Sequence, residues 1–124
     1  MLSKNFHREE FECRCQCGMD IVDAELISTL QELRDHYNKK ITISSGCRCP
    51  AHNAAIGGEV DSFHIKAKAA DIKVANTPPI AIYHYIDRKY PNKYGLILYK
   101  TFVHIDVRPN KYRKIKGEGH GRNV

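Results

Sequence analysis

Phe102-Val103-His104-Ile105-Asp106-Val107-Arg108 is the stretch that decides the fold, because apolar and polar side chains alternate through it. A period of two is that of a β-strand, so Val103, Ile105 and Val107 face a core while His104 and Asp106 emerge together on the other side. Gly95-Leu96-Ile97-Leu98-Tyr99 just upstream is also strand-like. Only Lys100-Thr101 separates the two runs, so a hairpin is the economical reading, although Lys-Thr is a poor two-residue turn. Ala70, Ile72 and Val74 alternate in the same way and put Asp71 on the face away from the core. Ile41-Thr42-Ile43-Ser44 reads as a further short, half-buried strand.

Helical spacing governs what lies between the strands. Leu26, Ile27, Leu30, Leu33 and Tyr37 recur at intervals of three and four behind a possible Asp23 cap, with Glu25, Gln31, Glu32, Arg34 and Asp35 on the other side. Asn38-Lys39-Lys40 ends that helix. Pro50 is placed to start a short helix through Ile56, closed by Gly57-Gly58, and Thr77-Pro78-Pro79 caps and starts another containing Ile82, Tyr83, Ile86 and Tyr90. The expected architecture is α+β, with helices packed on a small, mainly antiparallel sheet.

The 124 residues suit one domain, residues 1–124, with an irregular, cysteine-containing opening segment at 1–19 and a basic tail at 109–124. Hydrophobic content is 42% and charged content 27%, and no apolar run is long enough for a membrane span. The first ten residues lack the apolar core of a secretory signal, so synthesis in the cytoplasm is expected. The formal net charge of +6 favours an anionic partner, and the tail beyond Pro109 reads as a solvated basic end. Charge alone, without helix-turn-helix or aromatic organisation, does not make a specific nucleic-acid binder. Five cysteines, Cys13, Cys15, Cys17, Cys47 and Cys49, form two tight clusters, and their odd number leaves at least one unpaired within a monomer. In the absence of a signal, reduced thiols or thiolate ligation are expected rather than bridges.

The chemistry concentrates in two places. Ser62-Phe63-His64-Ile65-Lys66-Ala67-Lys68-Ala69-Ala70-Asp71 sets a histidine seven residues before a carboxylate, and His104 supplies a second imidazole. Two imidazoles and one carboxylate suit catalytic zinc, because the fourth position stays open for water. His64, Asp71 and His104 are therefore the candidate Zn2+ ligands. Asp106, two residues along the strand from His104, is the candidate general base, or else a carboxylate that orients a ligand histidine. Glu59 is a lesser candidate for the base. Arg48, just after Ser45-Gly46, is placed to pair bidentately with a substrate carboxylate, and Ser62 supports a ligand through a hydrogen bond.

These residues resemble the zinc D-alanyl-D-alanine carboxypeptidases, the phage L-alanyl-D-glutamate endolysin peptidases and the hedgehog fold they share. The likeness is carried by Ser62-x-His64, Ala69-x-Asp71, Phe102 to Arg108, and Ser45-Gly46-Cys47-Arg48 with Asn53 and Gly57-Gly58. It implies zinc on His64, Asp71 and His104, Arg48 assisting a substrate carboxylate or oxyanion, and peptidoglycan stem peptides as substrate; apart from the resemblance, a monomer is expected. Two departures stand out. Ala67 replaces a glycine frequent between histidine and acid, and Thr101 stands where several relatives place an acidic base three residues before the second histidine.

An endolysin released through a permeabilised membrane, or a virion-associated enzyme, fits the missing signal better than a resident periplasmic one. The main alternative is a non-catalytic zinc module of the same fold that binds the wall or a protein partner. A cysteine peptidase using Cys47 or Cys49 would leave the histidine and aspartate blocks unexplained.

Overall fold

The computed structural model describes residues 2–13, 23–46 and 68–116. Within them the architecture is α+β: a five-stranded sheet in the order β1-β2-β4-β3-β5, with two α-helices. The strands are β1 (Ile41–Ser45), β2 (Ala69–Val74), β3 (Gly95–Leu98), β4 (Val103–Asp106) and β5 (Tyr112–Ile115). All neighbouring pairs are antiparallel except β3 with β5, which is parallel. The short helix expected from Pro50 lies outside the described residues.

Helix α1 (Ala24–Tyr37) begins at Asp23, whose carboxylate accepts from the backbone N–H groups of Glu25 and Leu26, and ends at Asn38 in the left-handed conformation. Leu26, Leu30 and Leu33 are buried from its apolar stripe. Helix α2 (Pro79–Lys89) starts with proline at its first turn, where a missing N–H costs nothing. Its N-cap is Pro78 and not Thr77, whose hydroxyl donates instead to the Ala75 carbonyl. Ile82 and Ile86 of α2 join Ile72, Leu96, Val103 and Ile105 from the sheet in one core cluster. Each such buried aliphatic side chain contributes about 1.5–3 kcal/mol. The opening segment is pinned to the same cluster by Phe6 and Phe11, around a 3-10 turn at Arg8–Phe11.

The hairpin of β3 and β4 forms as the alternation implies, with a connection from Tyr99 to Phe102 that closes by a Tyr99 N–H to Phe102 carbonyl bond of 3.0 Å. The two rings stack at 4.3 Å, a contact the Lys-Thr pair gave no hint of.

The basic end is not simply solvated, because residues 112–115 supply β5. The anchor is Arg113. Its guanidinium binds Asp87 at 2.7 Å and also donates to the carbonyls of Tyr90, Lys93, Tyr94 and Tyr112. A charge taken from the sequence as solvation is thus spent on backbone acceptors. Arg113→Ala is expected to lower stability by about 2 kcal/mol and the melting temperature by about 8 °C, because several partly buried carbonyls lose their donor. The hydrogen bond from Arg113 holds the Asp87 carboxyl below its ordinary value. Its contribution is therefore present above the unfolded-state pKa of about 3.9 and is lost as pH falls through the lower folded value. Melting wild type and variant side by side should show the gap narrowing in acid.

Candidate metal centre

The pairing of β2 with β4 sets Asp71 directly opposite His104. A backbone bond from Val107 N–H to the Lys68 carbonyl fixes the ladder's phase, so Asp71 and His104 fall at a position without mutual backbone bonds, where opposed side chains approach most closely. The Asp71 Oδ1 lies 3.1 Å from His104 Nδ1, and both residues are buried. Alternation had put them on the face away from the helices, and that is where they meet.

Asp106 is two residues on and lies on the same face, but it is not an open carboxylate. It is fully buried, at 0% exposure. One oxygen meets His104 Nε2 at 2.7 Å and Arg108 Nη2 at 2.7 Å, and the other accepts from Arg108 Nε at 2.6 Å. Room for this comes from its cross-strand neighbours, Ala69 on β2 and Gly95 on β3. A Cβ at Gly95 would sit 2.4 Å from Asp106 Oδ2 and 2.6 Å from Arg108 Nε. Small residues on both sides therefore carve the chamber that the ion pair fills.

The charges reinforce one another. Burial works against an ionised Asp106, but the Arg108 and His104 hydrogen bonds outweigh it and hold the carboxyl far below its ordinary value. Burial likewise opposes a charged His104, yet the bonds to Asp106 and Asp71 outweigh it and raise the imidazole's pKa. Any divalent ion taking Nδ1 would have to displace the proton held there against the Asp71 carboxylate.

Arg108 is the residue that reading the sequence for ligands passed over. His104, Asp106 and Arg108 recur at intervals of two, so strand alternation already put all three on one face. Gly95 carried no such signal, because its role depends on a register that the sequence does not print.

His64, Arg48, Ser62 and Glu59 lie outside the described residues, as do Cys15, Cys17, Cys47 and Cys49. Cys13 is buried. Among the described residues no group of three His, Cys, Asp or Glu side chains is arranged to hold a metal. Two of the three expected ligands, Asp71 and His104, are brought together, and a carboxylate with an imidazole is a donor pair that zinc accepts. The observed separation is 3.1 Å. The second ring nitrogen is held by a carboxylate, as ligand histidines usually are.

The family model for Peptidase M15 matches residues 4–106, a span that takes in all of β1 to β4 and the pair at their centre. The chain belongs to the Peptidase M15 family. Membership suggests a metallopeptidase, and peptidases of this family are generally zinc-dependent. No curated protein shows significant similarity to the chain. Among the described residues no helix is long and apolar enough to cross a membrane.

Proposed function

We propose that the protein is a zinc-dependent peptidase that acts as a monomer on amide bonds of peptidoglycan stem peptides, as a phage endolysin, a virion-associated enzyme or a D-alanyl-D-alanine carboxypeptidase. The observation that carries this reading is the 3.1 Å approach of Asp71 Oδ1 to His104 Nδ1 while Asp106 occupies the other ring nitrogen. Asp71, His104 and His64 would hold the ion, which when bound lowers the pKa of water and polarises the scissile carbonyl. Arg48 pairs with a substrate carboxylate and Ser62 supports a ligand.

Asp106 is best read as the group that orients His104. A carboxylate whose proton affinity is held far below the ordinary is badly matched to accepting a proton from water near neutrality. The proton acceptor is then another group, for which Glu59 is the lesser candidate named from the sequence. Asp106→Asn separates the roles. An orienting role predicts zinc binding weakened about 10–100-fold with turnover kept at saturating zinc. A base role predicts retained zinc and a kcat lower by about 10²–10⁴.

A non-catalytic module of the same fold has one observation in its favour: Thr101, at the position of the relatives' acid, is exposed in the β3–β4 connection. Mass spectrometry of purified peptidoglycan incubated with the zinc-loaded protein distinguishes the two. Cleaved stem peptides identify the bond, and intact peptides from a zinc-replete protein would leave the module reading standing.

A further inference from the structure

The strand built from the basic end reaches into the candidate metal centre. Asp106, Gly95 and Tyr112 lie in one row across β4, β3 and β5. The middle position has no side chain, and Arg108 fills the space above it, since a Cβ there would meet its Nε at 2.6 Å. On one side Arg108 grips both oxygens of Asp106, and on the other its guanidinium carbon lies 4.4 Å from the centre of the Tyr112 ring.

We propose that Arg108 and Tyr112 are positioning residues for the metal centre. The inference rests on the zinc reading above. The Tyr112 ring holds the guanidinium in its plane, the guanidinium fixes both oxygens of Asp106, and Asp106 fixes the rotation of the imidazole that presents Nδ1 beside Asp71.

Each link has a physical reason. The terminal torsions of histidine and aspartate are broad and roughly two-fold, so a lone His–Asp contact leaves both groups free to rock. A two-pronged guanidinium removes that freedom for the carboxylate. Arginine does this and lysine does not, because an ammonium is a point charge without a fork. Arg108 would itself swing toward water, since its side chain is 22% exposed; the ring of Tyr112 closes that path through cation–π attraction. Arg113, facing the opposite side of β5, ties the strand to Asp87 apart from this chain of contacts.

Zinc affinity, measured on the full chain by competition with a chromophoric chelator, tests the chain of contacts apart from turnover. Thermal melting reports folding in parallel. Arg108→Gln is expected to weaken zinc binding about 10–100-fold, the usual cost of removing a group that orients a ligand. Arg108→Lys should fall nearer to Arg108→Gln than to wild type. Tyr112→Phe, which keeps the ring, should bind zinc as wild type does, while Tyr112→Ala should bind it about tenfold more weakly. Visible absorption of the cobalt-substituted protein should shift in Arg108→Gln and Tyr112→Ala but not in Tyr112→Phe. Asp87→Asn, which loosens β5 from its far side, should lower the melting temperature and leave zinc affinity of the folded protein in place. Wild-type zinc affinity in folded Arg108→Lys and Tyr112→Ala would overturn the positioning role while the zinc reading survives. A wild-type chain that takes up no zinc would overturn both.

Discussion

Asp71→Asn and His104→Ala are each expected to cut peptidoglycan hydrolysis about a thousandfold or more while the sheet remains formed. The two side chains meet at the middle of the β2–β4 ladder, on the face away from the core, so their replacement disturbs no apolar packing. Asparagine has the shape of aspartate but offers a neutral ligand, and alanine offers none. Losing the ion forfeits several kcal/mol of transition-state stabilisation, which is where the factor of a thousand originates. Zinc stoichiometry, melting curves and stem-peptide release on the same preparations are the check. Full activity in either variant would remove these residues from the metal centre.

Gly95→Ala carries the second large effect, and it acts without touching a ligand. Its methyl group would arrive 2.4 and 2.5 Å from the two Asp106 oxygens and 2.6 Å from Arg108 Nε. The ends of free side chains could step aside, but these belong to a buried pair tied at three points. Either the pair breaks or the strands part. Breaking a buried ion pair costs about 3–5 kcal/mol, so a loss near 3 kcal/mol and a fall of about 12 °C in melting temperature are expected. Zinc affinity should fall with it, because the carboxylate can no longer hold His104. Gly46→Ala is the natural comparison, since its Cβ would meet the Phe11 backbone at 2.8 Å, away from the ion pair. Destabilisation in both variants with zinc binding impaired only in Gly95→Ala would establish the chamber's role. Equal zinc binding in the two would refute it.

The elements that were legible in the sequence are those with a strong period. Val103, Ile105 and Val107 announced β4, the leucines of α1 announced the helix, and outward placement of Asp71 and His104 followed from alternation alone. What stayed hidden depended on register and on long-range partners. Nothing in Tyr112-Arg113-Lys114-Ile115 distinguishes a solvated end from an edge strand until Asp87 and the carbonyls near Tyr90 are known to receive Arg113. The burial of Asp106 was equally invisible, because a carboxylate on an outward face normally meets water. Only the cross-strand neighbours Ala69 and Gly95, together with Arg108 two residues on, give it somewhere dry to go.

The sheet order separates what is local from what is not. Strands β3 and β4 zip through a connection of a few residues, whereas Asp71 and His104 stand 33 residues apart along the chain. Bringing them together requires closing a long loop, a slow event whose entropic cost precedes any reward. Nascent and partly folded chains can therefore own the hairpin with its histidine and still lack Asp71 beside it. On the zinc reading, hydrolysis requires the β2–β4 pairing, so any mutation that delays the docking of β2 is expected to delay the onset of activity during refolding.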